Sequence, residues 1–503
     1  MKINNEKPIS KRIENIEETK RASSQSESKD YAKLFEDIQG NILKSHARPH
    51  VKLLFLQFEA DKEDVKEWIR KKIVPLVTPF SDQLKTTEVK KHDRTAAAPQ
   101  VAQRALVVDQ DPLFCNFLIT SSGFKKLDLE LPDNDGETFE AGMENRISSD
   151  PPRADWEAAY QHSIDALLLL ANDHQNTIEQ YDLEIRDAMQ GIAKVVATEI
   201  GEVITGRKMG LDFEHFGFAD GISQPRFFKE DLDGKDTTKA WDPFASLDLV
   251  LLKDPNGKTF VDGFTGEPVP SDNGEFGFGS YMVFRKLEQN VRGWNEAVAR
   301  LADEHGIEPE WLGAMAVGRF KDGTPTILGG KPGSVEPLSN DFNYAGDKKG
   351  LLCPFHAHIR KTNPREESAG QFGITPESER AHRIARRGIP YGTPAGPEQE
   401  QPSENVGLLF MCFQSSISNQ FEFMQQNWAD NETFLNKTFN QQAANDTGLD
   451  GVIGQTTGQP INQTWGKKHG VDNDFASFSF GGFVKLKGGE YFFAPSISAL
   501  KNL

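Results

Sequence analysis

Cysteine is scarce in this chain, with three in 503 residues. Cys115, Cys353 and Cys412 are too few and too scattered to form a disulfide framework, and they suit a reducing compartment. Long apolar runs are missing too, and none approaches the roughly 20 residues that cross a bilayer. The N-terminus, MKINNEKPISKRIENIEETKRASSQSESKD, lacks the apolar core of a signal peptide and carries no twin arginine. It has no aromatic residue before Tyr31, so residues 1–30 read as a solvated polar tail, and the cytoplasm is the expected location. Positive charge is in short supply: 57 Lys and Arg stand against 75 Asp and Glu, a net charge of −18. That balance argues against nucleic acid or an anionic membrane as the main partner. No glycine-rich strand-to-helix turn of the dinucleotide-binding type appears, which disfavours two-sided α/β winding.

What is present is a repeat. VKLLFLQFE (51–59) predicts a strand and DKEDVKEWIRKKIVPLV (61–77) a helix. Strands follow at 113–120 and 163–171, then a helix capped by Asn172 or Asp173, then a strand at 192–204. Strand-helix-strand-strand-helix-strand is the ferredoxin-like order. The second half echoes it with a strand at 279–287, the helix QNVRGWNEAVARLADEHG, a strand at 405–414, the segment SISNQFEFMQQNW and closing strands within 475–495. Its second strand is not visible in the periodicity. The expectation is an α+β protein of tandem ferredoxin-like domains, residues 31–227 and 228–503, with helices packed on antiparallel sheets. Residues 228–275 and 429–474, rich in Asp, Gly, Asn and Gln, read as loop-like excursions from the core.

Three short stretches carry candidate chemistry. In LLCPFHAHIRKTNPR (351–365), an extended strand would point His356 and His358 to one face. They could be two polar residues at a strand end, a His-x-His metal pair, or a single imidazole for haem iron with basic neighbours for its propionates. In EHFGFADGISQPRF (214–227), Gly217 and Gly221 bracket Asp220 and would allow a tight backbone path against a planar ligand. Asp-Gly pairs also mark plain turns. Phe213, Phe216, Phe218 and Phe227, however, would wall in the carboxylate and leave it partly desolvated. In HRIARRGIPYG (382–392), Arg386 follows the apolar pair Ile384-Ala385 and is expected to point inward, with Arg383 and Arg387 facing solvent. A buried arginine needs an anionic partner.

GFADG, AHIRKTNPR and IARRGIPYG, in that order, resemble the signature of the dye-decolourising peroxidases, a haem family. FEDIQGNIL (35–43), TFEAGMENRISSDPP (138–152), FMCFQSSISNQFEFMQQNW (410–428) and GGEYFFAPSISAL (488–500) also resemble family segments. The likeness thus runs from about residue 35 to the C-terminus, and it is nearest the longer, cyanobacterial and fungal-like branch. The resemblance implies a tandem ferredoxin-like fold and one haem b per chain, with His358 as proximal iron ligand. It also implies Asp220 as distal acid–base residue, Arg386 as distal arginine and Glu422 as the carboxylate behind the imidazole. A small residue is usual in the family where His356 stands. Arg360 and Arg365 are candidates for propionate pairing. Tyr391 and Trp428 are candidate surface relays for electrons from donors too bulky to enter.

An aspartate base keeps its basic form in mild acid, where histidine does not, so activity favouring acidic pH is expected. The implied partners are hydrogen peroxide and organic donors such as dyes and phenolics, with the chain a monomer or homo-oligomer. A haem carrier or sensor would need His358 but neither Asp220 nor Arg386. A hydrolase built on His356 and His358 would need further ligands that the repeat does not offer.

Overall fold

The computed structural model describes residues 29–87, 112–132, 134–144, 146–205, 211–228, 245–257, 277–336, 338–396, 399–435 and 447–503. The expected polar tail therefore lies outside the described residues, apart from Lys29 and Asp30, as does most of 228–275.

Four strands build the first half: β1 (His50–Phe58), β2 (Phe114–Ile119), β3 (Ala166–Asn172) and β4 (Ala193–Glu202). They pair antiparallel in the order β4-β1-β3-β2. HVKLLFLQF, FCNFLI and ALLLLAN are nearly continuous apolar runs because both of their faces are covered. Helix α1 (Lys62–Trp68) starts on Asp61, whose carboxylate accepts from the backbone N–H of Glu63 and Asp64, and continues as a π-helical turn over Ile69–Ile73. Helix α2 (Gln175–Ala188) is capped at His174 rather than at the expected Asn172 or Asp173. The Asn172 Oδ1 instead accepts from the His174 N–H at 2.9 Å and so shapes the turn before the helix.

The second half uses β5 (Gly277–Gln289), β6 (Ala385–Arg386), β7 (Ile389–Tyr391), β8 (Gly407–Gln414) and β9 (Val484–Ala494). The order β7-β8-β5-β9 repeats the ferredoxin-like arrangement. Its second strand is split into pieces of two and three residues, too short to leave a period in the sequence. The halves join where Tyr391 on β7 pairs with Gly201 on β4 and Phe493 on β9 pairs with Ile119 on β2. The second strand of each half thus meets the fourth strand of the other, and eight strands close into a barrel. Its interior holds Phe55, Tyr160, Phe284 and Phe492 in ring contact, and Lys286 paired with Glu157 and Glu199.

Side chains alternate across a strand, so the neighbours of Phe284 and Lys286 face outward. Arg285, Leu287 and Gln289 on β5 stand beside Phe410, Leu408, Leu486 and Val484 in register. The helices that could cover this outer face build a core of their own. Helix α3 (Val291–His305) and α4 (Pro309–Val317) pack Trp294, Trp311 and Leu312 against Trp465, Phe478 and Phe480, from or beside the hairpin Gln463–Gly466/Phe475–Phe478. A third, small core holds Phe342, Tyr344, Cys353 and Ala357. The described part of 429–474, which leaves out residues 436–446, is therefore not simply a surface loop: Trp465 is fully buried, and burying a side chain of that kind contributes about 1.5–3 kcal/mol or more. The described part of 228–275 is also structural. Leu247, Val250 and Leu251 are buried, and the strand Leu252–Asp254 pairs with β5.

Candidate active site

A cavity of about 260 Å³ lies where the three cores meet. Ile384, Phe421 and Met424 reach it from the barrel side, Phe216 and Phe218 from the second core, and Ile359 from the third. A water needs on the order of 10–15 Å³ of such space, so the cavity is far larger than a peroxide molecule requires.

Residues 351–365 do not form a strand. Residues 355–356 turn, and helix α5 (His358–Thr362) begins at His358 itself, so the two histidines diverge. His356 points into the second core, its ring 4.2 Å from that of Trp465, and burial pushes its pKa down to about 3. His358 lines the cavity. Its Nδ1 lies 2.9 Å from Oδ2 of Asp450, whose other oxygen accepts from the N–H groups of Val452 and Ile453. Those bonds leave Oδ2 to receive the imidazole N–H, so the neutral ring carries a bare Nε2. Helix α5 fits closely against α4. A side chain at Gly318, where φ is +92°, would come within 2.4 Å of Ile359 Cγ1.

A second cluster lines the same cavity. Arg386, on the short strand β6, donates from Nη1 to Asp220 Oδ1 at 3.1 Å and from Nη2 to the Ser223 carbonyl at 3.0 Å. Asp220 also accepts from the Gly221 N–H at 2.6 Å, in a turn that Gly221 makes with φ +72°. The pair is about one-third exposed. Upstream, Glu214 accepts from the N–H groups of Phe216 and Phe218 and from Gln289, which fixes the Phe-Gly-Phe path into the cavity. Burial raises its pKa.

Cationic side chains complete the lining. Arg319, Arg365 and Arg383 all reach the cavity. Arg319 donates to the Gly323 carbonyl and the Asn340 side chain, and Arg365 to the carbonyls of Asn340 and Phe342. Burial lowers the pKa of both guanidinium groups to about 10.

Several sequence expectations need correction. Glu422 is not behind His358. It forms an ion pair with Arg146 at 2.7 Å and accepts from the Tyr491 hydroxyl, because the π-helical stretch Ile417–Glu422 turns Phe421, not Glu422, toward the cavity. Arg360 is fully buried between Asp347 and Glu367 and does not line the cavity. Arg383 was expected in solvent and lines the cavity. Arg387, also expected in solvent, is buried and donates to the carbonyls of Asn41 and Ile42. Gly217 adopts φ +89° but faces Lys321 rather than the cavity, whereas Gly221 lines it. Phe227 belongs to the barrel core, and Phe213 does not reach the cavity. Neither Tyr391 nor Trp428 is at the surface. Tyr391 lies under the Lys286 ammonium, and Trp428 stacks on Phe434. Sequence reasoning missed Asp450, Arg319 and Glu214. The one signal for Asp450 is the apolar interruption Leu449-Asp450-Gly451-Val452-Ile453 within a polar stretch.

An α+β barrel built from two ferredoxin-like halves, with its cavity outside the second sheet, defines the class. Residues 37–204 match the DyP dimeric alpha+beta barrel domain, and residues 325–448 match the Dyp-type peroxidase C-terminal region. The multifunctional dye peroxidase DyP2 of an Amycolatopsis species is 37% identical over 489 residues, covering 94% of this chain and 96% of its own length. The dye-decolorizing peroxidase AauDyP1 of Auricularia auricula-judae is 32% identical over 82% of this chain and 80% of its own. The crystal structure of a DyP-type peroxidase from an Anabaena species superposes with a TM-score of 0.80 at 38% identity, covering 96% of this chain and 97% of its own. The chain belongs to the DyP-type peroxidase family and is an oxidoreductase of the peroxidase type. Among the described residues no helix is long and apolar enough to cross a membrane.

Proposed function

We propose that the cavity holds one haem b per chain and that the protein uses it to reduce hydrogen peroxide while oxidising organic donors, among them dyes, which its relatives are named for, and phenolics. The observation that carries this reading is the His358–Asp450 pair in the lining of the cavity that also holds Asp220 and Arg386. The residues fit the cofactor. The cavity is large and mostly apolar, its imidazole is set up as a metal ligand, and Arg319, Arg365 and Arg383 suit two propionate groups. When bound, haem supplies the redox chemistry of peroxide reduction and of one-electron oxidation of donors.

The chain's own residues supply the rest. Asp450, fixed by the amides of Val452 and Ile453, orients the His358 ring and raises its basicity toward the iron. Asp220 takes a proton from peroxide at its carboxylate and returns it to the departing oxygen. Arg386 places fixed positive charge where negative charge develops, a contribution worth about 3–4 kcal/mol in comparable sites. Glu214 holds the backbone that carries Asp220 by accepting two amide hydrogens within its own turn. His356 takes no part in iron binding, since its ring is committed to Trp465. The three free, buried cysteines suit a reducing compartment, and we place the protein in the cytoplasm.

A spectrum of the purified protein, before and after peroxide, tests this function. A Soret band that changes on peroxide addition and returns on addition of a dye is the expected result. A protein that stays colourless after expression with ample porphyrin overturns it, and a Soret band without turnover leaves only a haem carrier.

A further inference from the structure

Lys361 is an unusual residue to find in this position. Its side chain is fully buried one helical turn after His358 on α5, and among the described residues its amine takes no carboxylate as a hydrogen-bond partner. A buried charge with no carboxylate bonded to it directly is costly, so its placement calls for a physical reason. The Nζ donates to the Asn431 carbonyl at 2.7 Å, the Thr447 hydroxyl at 3.2 Å and the Phe434 carbonyl at 3.5 Å. These partners come from two stretches of chain, 431–434 and 447 onward, and Lys361 ties them together. Around the amine the stretches zip up. Thr447 Oγ1 donates to the Glu432 carbonyl at 2.8 Å, and the Gly448 N–H reaches the same carbonyl at 3.1 Å. The Asp450 N–H then bonds the Ala429 carbonyl at 2.9 Å, and Asp450 meets His358. One short helix therefore grips one loop at two points, through His358 to Asp450 and through Lys361 to Thr447 and Asn431.

We propose that Lys361 is a positioning residue that clamps the Asp450 segment onto His358 and so sets how strongly that imidazole donates to the haem iron. The inference rests on the reading of His358 as iron ligand. Burial pushes the amine's pKa down to about 7, so in mild acid it is an ammonium with a partner for each of its three protons. The charged and titratable groups that face it are Asp430, Glu432 and Asp450 from the loop and His356 from the chain just before α5.

Clamp and simple charge predict opposite signs. Without the clamp, Asp450 is free to leave Nδ1, the imidazole donates less, the Fe(III)/Fe(II) potential rises and the iron–histidine stretching frequency falls. If Lys361 acted only as a nearby positive charge, its removal would favour the ferric state and lower the potential.

The test is a redox titration and a resonance Raman spectrum of the ferrous holoprotein for the parent, Lys361→Met, Asp450→Asn and the double variant. The expected result is a rise in potential for K361M, smaller than that of D450N, with a lower stretching frequency. The double variant should shift no further than D450N alone. A fallen or unchanged potential in K361M, with D450N raised, overturns the clamp while leaving the ligand reading intact. An unshifted potential and stretch in D450N, or haem retention with an unaltered spectrum in His358→Ala, overturns the ligand reading itself. Should K361M not fold, Thr447→Val decides: it keeps the size and removes the hydroxyl. A smaller rise in the same direction supports the clamp, and no rise overturns it.

Discussion

The two halves share one strand order and differ in what lies on the outer face of their sheets. In the first half, α2 lies directly on β1 and β3, and its Glu179 and Asp182 pair with Lys52 on β1 at 2.6 and 2.8 Å. That face is full. In the second half, the chain between β5 and β6 runs from residue 290 to 384, and its helices α3 and α4 build a core with the 463–480 region instead of lying on the sheet. The same segment brings in His358, and the helical stretch Ile417–Ala429 contributes Phe421 and Met424. The gap left between sheet and helices is the cavity. The stretch Ile417–Glu422 stays on β5 and β8 as α2 stays on β1 and β3, so it is α3 and α4, drawn away to their own core, that open the site.

Substitutions at matching depths test this contrast. The largest effect is expected at His358→Ala, which should lose bound haem as read from the Soret band. Lys52→Met, under α2 in the first half, should keep it. Next come Asp220→Asn, expected to slow the reaction with peroxide by about 10²–10⁴-fold, and Arg386→Leu, by about 10²–10³-fold, with haem retained. Stopped-flow absorbance checks both, and parent rates in both would remove them from the mechanism.

The ion pair that ties the halves together should matter more than one confined to the first. Asp150→Asn leaves the buried Arg285 guanidinium without its bidentate partner at 2.5 and 2.7 Å, and denaturant unfolding should show a loss of about 3–5 kcal/mol. Acid should then act through His356. Its folded pKa of about 3 lies below the ordinary histidine value of about 6.5, so the unfolded chain binds more protons between those values. Stability from this group is complete above about pH 6.5 and falls as pH drops toward 3, by about 1.4 kcal/mol per unit. His356→Phe, which keeps the packing on Trp465, should flatten that fall in unfolding measured across the same pH range. The smallest effect, about 0–1 kcal/mol, is expected for Glu179→Gln, a half-exposed partner of Lys52.

Much of the fold was legible because long apolar strands leave a period. β1, β3, β5 and β8 fall within a few residues of where the pattern predicts them. β7 did not show, since three residues, Ile389-Pro390-Tyr391, carry no periodicity and pair because β8 and β4 are already in place. Asp220, His358 and Arg386 were legible from the short motifs around them. Glu422 was misassigned because a π-helical turn shifts which residue faces inward relative to an α-helical reading. Asp450 and Arg319 lie far along the chain from the residues they serve, 92 residues from His358 in the first case, and no local pattern joins them.

The duplicated α+β plan is written locally in the chain, since apolar periodicity and turn residues are properties of short stretches. Local motifs also pointed to Asp220, Arg386 and His358, which line one cavity. Packing settled which carboxylate stands behind His358, which arginines reach the cavity and which of two neighbouring histidines faces it. Those outcomes depend on helix register and on contacts between distant segments, and a fraction of a helical turn is enough to exchange a buried core residue for one that lines the site.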